Sequence, residues 1–138
     1  MTDARDAVRA WVPLRFGWLR LLCLVFGMTP RSSGIGIGED DVEVRAGPWF
    51  GTRFPRRTIA AVEASPARPW AIGVHTWRGG TWIVNGAASP MACLVLASPV
   101  EARTLGIRVH ARRIEVSVDD PAALAAALGH DLLPRAGA

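Results

Sequence analysis

The spacing of apolar residues changes once near the C-terminal end of the chain. Ile114, Val116 and Val118 alternate with polar residues, the period of two that is typical of a strand with one buried face. The segment that follows has helical spacing, because Leu124 and Leu128 lie four residues apart. The pattern therefore predicts a strand that runs directly into a short helix.

The predicted helix has a start signal and an apolar face. Asp119 or Asp120 can accept a hydrogen bond from the free amides of the first turn. Pro121 suits the first helical position because its missing N–H would have no partner there. Leu124 and Leu128 form the apolar face, which must cover another apolar surface. We therefore predict that these two leucines act as a plug on the strands that precede them.

Alternation and turn residues predict six further strands before this one. Gly, Pro, Asn, Asp and Ser separate most of the apolar segments, as is usual in an antiparallel meander. Residues 66–80 and 101–112 are expected to be long connections between strands. The predicted strands are 34–38, 42–45, 49–54, 58–64, 81–84, 92–97 and, as the seventh, 113–118.

The 138 residues are enough for one domain. Residues 1–10 are polar and without pattern, and we expect a disordered leader there. Residues 11–32 form an apolar N-terminal segment that is expected to pack on the domain, which spans residues 33–130. Residues 131–138 are expected to form a flexible tail.

The apolar run at residues 21–26 raises the question of a membrane segment. It is much shorter than the roughly 20 residues that a transmembrane helix needs, so we predict no transmembrane segment. No small-residue cleavage site follows it, which disfavours a secretory signal peptide. The alternative to packing on the domain is an amphipathic element that lies on a membrane surface. The expected location is the cytoplasm, including a peripheral position at the inner membrane face.

Composition agrees with a turn-rich β protein, since half of the residues are apolar and the chain contains 14 Gly and 10 Pro. The net charge of +4 rests on arginine alone, because all 16 basic residues are Arg. Such a bias indicates either charges dispersed over a solvated surface or a dedicated anion site. Cys23 and Cys93 each lie in an apolar run, which predicts buried, reduced thiols.

Patterns that would indicate catalysis are missing from the sequence. His75, His110 and His130 are too far apart to match a metal-binding motif. The acidic clusters at 39–41 and 119–120 fall where turns and helix caps favour Asp. We therefore predict no catalytic residues, no cofactor and no metal. The six tryptophans are expected to pack in the core and loops, so nucleic-acid binding is not expected.

Several short segments occur in an order that matches one known family. They are Val44-Arg-Ala-Gly-Pro-Trp49, Ile59-Ala-Ala-Val-Glu63, Val84-Asn-Gly86 and Val116-Ser-Val-Asp-Asp-Pro-Ala-Ala-Leu124. Together with seven strands and a closing helix, this set resembles the pleckstrin-homology-like (PH-like) proteins of actinobacteria over about residues 20–129. The resemblance implies a mainly β fold, an antiparallel barrel of about seven strands capped by one C-terminal helix. It implies no enzymatic reaction.

The resemblance also implies where such a module would bind. A helix that plugs one end of the barrel leaves the loops at the other end free, and that rim would hold an acidic group. The corresponding candidates here are Arg45, Arg53, Arg56 and Arg57, because guanidinium groups suit phosphate and carboxylate. The expected function is a non-catalytic binding or assembly module for an acidic lipid head group, an acidic protein partner or a second copy of itself.

Two other classes of function remain open at the level of sequence. The first is a carrier of an apolar small molecule, with a loop pocket formed by Trp70, Trp77 and Trp82. The second is an enzyme of unrecognised type. A cavity with converging polar groups would favour either of these, whereas a filled interior would favour a binding module.

Overall fold

A curled β-sheet dominates the part of the chain that the structure, a computed structural model, describes: residues 8–17, 27–29, 31–66, 73–77, 80–87 and 89–134. Within these residues there are ten strands, one α-helix and a short 3₁₀ turn at Arg56–Thr58. The strands are β1 (Val8–Pro13), β2 (Ser33–Gly38), β3 (Asp41–Ala46), β4 (Phe50–Pro55), β5 (Ile59–Ser65), β6 (Gly73–Trp77), β7 (Thr81–Asn85), β8 (Met91–Thr104), β9 (Ile107–Ser117) and β10 (Leu132–Leu133), and the helix is α1 (Pro121–Ala127).

The strands form one mixed sheet that curls into a half-barrel. Its order is β1-β2-β3-β4-β8-β9-β7-β6, and β5 pairs with β8 on one side and with β10 on the other. Strands β4 and β5 both pair with β8, β5 along its first half and β4 along its second half. The pairs β7–β9 and β5–β10 are parallel, and the other pairs are antiparallel.

The prediction of about seven antiparallel strands is therefore wrong in number and in direction, although the mainly β fold and the C-terminal helix are confirmed. Three strands were not predicted. Strand β1 includes residues 8–10 of the expected leader, β6 lies in the expected connection 66–80, and β10 lies in the expected tail. Segments of two to six residues carry too few positions for a period of two to stand out, and neighbouring strands stabilise them instead.

The segment 101–112 was expected to be a connection, and this expectation is also wrong. It forms the end of β8 and the start of β9, which pair as one long hairpin. Leu105 and Gly106 make the tight turn, with φ of 49° and 81°. The arginines of this segment belong to a solvated strand face, where polar residues satisfy the alternation as well as they would fill a loop.

The glycines of β2 allow β1 to lie close to it. Gly34 pairs with Pro13, and a Cβ atom built at Gly34 would lie 2.5 Å from the Val12 carbonyl oxygen. A larger residue would push the two strands apart. Glycine at position 34 therefore reflects a close approach between two backbones.

The core lies inside the half-barrel, and α1 covers it as predicted. Asp120 caps the helix by accepting a hydrogen bond of 3.1 Å from the Ala123 amide, and Pro121 occupies the first turn. Leu124 and Leu128 are buried, with 1% and 3% of their surface exposed. Packing of these two side chains against the strands therefore stabilises an otherwise short helix.

We predict that Leu124→Asp prevents stable folding. The substitution would bury an unpaired carboxylate and remove an apolar side chain, which together cost more than about 3 kcal/mol of unfolding free energy. Ala122→Asp, at an exposed position of the same helix, is the matched control and should change stability by less than about 1 kcal/mol. Thermal unfolding followed by circular dichroism measures both. Equal melting temperatures for the two variants would contradict the prediction that Leu124 plugs the core of the half-barrel.

Candidate functional site

Three arginines and one glycine lie in a line across four strands on the outer face of the half-barrel. Arg45 of β3 pairs with Gly51 of β4, Gly51 pairs with Arg103 of β8, and Arg103 pairs with Arg108 of β9. Residues that pair directly across neighbouring strands point to the same face of a sheet. We call these four residues the arginine row.

Gly51 leaves a gap in the middle of the arginine row. A Cβ atom built at this position would meet nothing within 4 Å. Because neighbouring strands lie about 4.8 Å apart, the side chains of Arg45 and Arg103 leave the sheet about 10 Å from each other. The gap opens into a cleft of about 570 Å³. Its lining residues are Glu43, Arg45, Gly51, Thr52, Arg53, Glu101, Ala102 and Arg103.

Two carboxylates flank the arginine row, because Glu43 and Glu101 lie two residues before Arg45 and Arg103 on the same strands. Glu43 lies 3.4 Å from Arg45, and Glu101 lies 3.2 Å from Arg108. Both pairs are at least partly exposed, so their contribution to stability is small. Within the described part of the chain, Arg103 has no carboxylate at ion-pair distance.

Two threonines hold β4 against β8 at this point. The Thr52 hydroxyl donates a hydrogen bond of 2.7 Å to the Glu101 carbonyl, and the Thr104 hydroxyl donates one of 2.7 Å to the Trp49 carbonyl. The first bond joins β4 to the main chain of β8, and the second joins β8 to the main chain of the residue that precedes β4, so sliding of the strands would break both. The threonines therefore fix which residues meet in the arginine row.

The four arginines predicted to form one rim are divided between two clefts. Arg45 and Arg53 line the cleft at Gly51, and Arg53 lies 3.6 Å from the Asp41 carboxylate. Arg56 and Arg57 line a second cleft, of about 680 Å³, near the end of α1. In that cleft three carboxylates, those of Glu39, Asp40 and Asp41, outnumber the two arginines, whereas in the first cleft three arginines outnumber two carboxylates. The second cleft is therefore the less favourable one for an anion.

Arg56 has a structural role in the second cleft. Its guanidinium donates hydrogen bonds to the Gly38 carbonyl at 3.1 Å and to the Ala127 carbonyl at 2.8 Å. The first belongs to the turn between β2 and β3, and the second to the last turn of α1. A cation at a helix C-terminus also matches the helix dipole. Arg56 thus ties the end of the helix to the sheet.

Sequence reasoning missed Gly51, Arg103 and Arg108 as site residues. The two arginines were assigned to a connection, so nothing placed them on a strand face opposite β4. A signal was present, because Arg103 and Arg108 stand symmetrically about the Leu105-Gly106 turn. Reading that dipeptide as a hairpin turn would have paired them.

The predicted tryptophan pocket is only partly within the described residues. Trp82 lies in the core, with its ring 5.5 Å from that of Phe50, and its indole N–H donates a hydrogen bond of 3.1 Å to the His110 carbonyl. The backbone of Trp77 belongs to β6. Trp70 and the side chain of Trp77 lie outside the described residues. Trp82 therefore acts as a core residue.

A second polar cluster lies on the buried outer face of β5, β8 and β9. Glu63 pairs with Cys93, and Cys93 pairs with Glu115. The Arg113 guanidinium donates to the Glu63 carboxylate at 2.9 Å, and the Ser65 hydroxyl donates to the Glu115 carboxylate. Both glutamates are buried, with 8% and 4% of their surface exposed. These contacts supply the partners that buried carboxylates require.

The Cys93 thiol in this cluster is not activated as a nucleophile. Burial raises the pKa of Cys93 from its ordinary value of 9.0 to about 11; Arg113 opposes this rise, and the neighbouring Glu115 and Glu63 add to it. A reactive cysteine needs the opposite shift, since the thiolate is the nucleophile. The cluster is therefore a buried polar network that holds three strands together.

The described residues contain no group of three or more His, Cys, Asp or Glu side chains arranged to hold a metal ion. Among the same residues, no helix has the length and apolarity that crossing a membrane requires. Comparison of the chain with protein-family models, with curated proteins and with solved structures found no match.

We predict that Cys93 is alkylated slowly in the folded protein. With a pKa of about 11 in place of 9.0, the thiolate fraction near pH 8 falls about 100-fold, and so does the reaction with iodoacetamide. Peptide mapping by mass spectrometry separates Cys93 from Cys23. Alkylation of Cys93 in the native protein at the rate found in denaturant would contradict the predicted shift.

The same shift predicts a loss of stability at alkaline pH. Because the pKa is higher in the folded state, Cys93 leaves stability unchanged below pH 9.0, and unfolding becomes easier between pH 9.0 and about 11. The slope is up to about 1.4 kcal/mol per pH unit. Denaturant titrations of the wild type and of Cys93→Ala measure this contribution. A slope of the same size in the variant would show that another group causes it.

Proposed function

We propose that this protein is a non-catalytic binding module whose arginine row holds an anionic group of a partner, an acidic lipid or an acidic protein. The observation that carries the proposal is the gap at Gly51 between Arg45 and Arg103. Guanidinium groups donate paired hydrogen bonds to phosphate and carboxylate oxygens, so two of them beside an open space suit such a group.

The energetics of the row support an anionic ligand. Arg103 and Arg108 pair directly across neighbouring strands, and like charges in this position destabilise a sheet by a few tenths of a kcal/mol. Glu101 compensates Arg108, while Arg103 keeps its charge without an ion-pair partner in the described chain. A bound anion between the arginines would remove this repulsion. Binding of an anion should therefore raise the free energy of unfolding of the protein.

The position of the helix also supports a binding role for this end of the sheet. Arg56 ties α1 to the turn between β2 and β3, whereas the arginine row lies toward the opposite ends of these strands, near the turn between β3 and β4. This is the division that the PH-like resemblance implies, with one end closed by a helix and the other available to a partner. The proposal includes a PH-like module at a cytoplasmic or inner-membrane location.

The test uses inorganic pyrophosphate as a soluble probe and two variants of the row. Gly51→Val fills the gap without changing charge, and it should fold at least as well as the wild type because valine favours strands. Arg103→Gln removes the unpaired cation. Each should weaken pyrophosphate binding about tenfold or more, since a charge-assisted hydrogen bond contributes about 1.5–3 kcal/mol. Isothermal titration calorimetry measures the affinity.

Arg57→Gln is the matched control, because it removes the same charge from the other cleft. It should leave the affinity for pyrophosphate within about twofold, since exposed charges farther away than about 10 Å are screened at 0.1 M salt. Wild-type binding should also weaken as salt is raised. Equal effects of Arg57→Gln and Arg103→Gln would indicate attraction by net charge alone, and the proposed site would then be wrong.

A further inference from the structure

The turn between β8 and β9 carries two exposed apolar side chains. Leu105 and Ile107 have 58% and 65% of their surface exposed, more than the other large hydrophobic residues in the described part of the chain. We call these two residues the hydrophobic tip. They lie beyond the last residues of the core, so folding of this chain does not bury them.

Leucine is an unfavourable residue for this turn. A two-residue hairpin turn with positive φ at both positions favours Asn-Gly or Asp-Gly, because most side chains are strained there. Leu105 has a φ of 49° and is the one residue other than glycine with positive φ among those described. Its side chain is exposed, so packing within the chain does not compensate for this strain. Folding of the chain therefore does not account for an apolar residue at the tip.

The hydrophobic tip lies beyond the arginine row at the end of the same hairpin. Ile107 pairs with Thr104, and the next pair along the hairpin is Arg103 with Arg108. At about 3.4 Å per residue, the Cα atoms of the two arginines lie about 7 Å behind that of Leu105, and the Cα atom of Glu101 lies about 14 Å behind it. The order from the end of the hairpin is thus apolar, cationic and then acidic.

We propose that this end of the protein docks on an anionic membrane surface, with the hydrophobic tip inserted and the arginine row bound to lipid phosphates. Interfacial segments bury apolar side chains about 5–10 Å deep, and arginines at that depth reach the head groups. The acidic residues would stay in water. This inference rests on the proposed function and specifies its ligand as the head groups of acidic phospholipids.

Charge distinguishes a membrane from a second copy of the chain as the occupant. In a two-fold symmetric contact that buries the two hydrophobic tips against each other, the arginine rows of both copies would lie close to the symmetry axis. Three cations beside the tip would then repel their symmetry mates. An anionic lipid surface supplies negative charge and an apolar phase in one partner, which matches both features.

Vesicle co-sedimentation tests the proposal with vesicles of phosphatidylcholine alone and vesicles that also contain phosphatidylserine. The wild type should bind only the second kind. Leu105→Asn and Ile107→Thr should each weaken this binding about tenfold, and Leu105→Asn should have an equal or higher melting temperature because asparagine suits the turn. Leu133→Asn changes an exposed leucine outside the tip and should bind as the wild type does.

The outcomes separate this inference from the proposed function. If Leu105→Asn and Ile107→Thr bind phosphatidylserine vesicles like the wild type while Gly51→Val still loses pyrophosphate, the membrane inference is wrong and the anion site stands. Both tip variants could instead lose vesicle binding while Arg103→Gln leaves pyrophosphate binding unchanged. Insertion of the tip would then be supported, and the anion site at the arginine row would be wrong. Equal sedimentation with both vesicle types, or with neither, overturns the membrane proposal.

Discussion

The short contact between β4 and β8 is the constraint on which the arrangement of this protein depends. Among the described residues, only the pairs Gly51–Arg103 and Thr52–Ala102 join the meander β1–β4 to β8. Such a short ladder is easily shifted, and the hydroxyl bonds of Thr52 and Thr104 keep it in place. A shift of one residue would turn Arg103 toward the core. The same contact therefore fixes the register of the sheet and creates the arginine row.

The two polar clusters of the molecule differ in what they can bind. In the buried cluster, Arg113 and Ser65 satisfy the carboxylates, and the Cys93 thiol stays protonated. The hydrogen-bond partners of these carboxylates belong to the cluster itself. In the arginine row the carboxylates stand to one side, Gly51 contributes no side chain, and one guanidinium is unpaired in the described chain. Of these two clusters, the arginine row is therefore the one whose side chains an outside ligand can reach.

Elements that depend on residues close in the sequence could be predicted, whereas elements that depend on pairing between distant strands could not. The helix could be predicted from Asp120, Pro121 and Leu124, because a helix cap and helical spacing depend on residues that are close in the sequence. The hairpin of β8 and β9 was missed because Leu105 stands where a turn normally has Asn or Asp. The arginine row joins residues more than fifty positions apart, through a pairing of β4 with β8 that skips β5. No local pattern reports such a pairing.

A double-mutant cycle tests most directly whether the β4–β8 contact brings distant arginines to one ligand. Arg45→Gln and Arg103→Gln, separately and together, are compared by calorimetric titration with pyrophosphate. If both guanidinium groups hold the same anion across Gly51, their effects on binding free energy should deviate from additivity by about 1 kcal/mol. Effects that add within about 0.3 kcal/mol would mean that the arginines act independently, and the shared site would be contradicted.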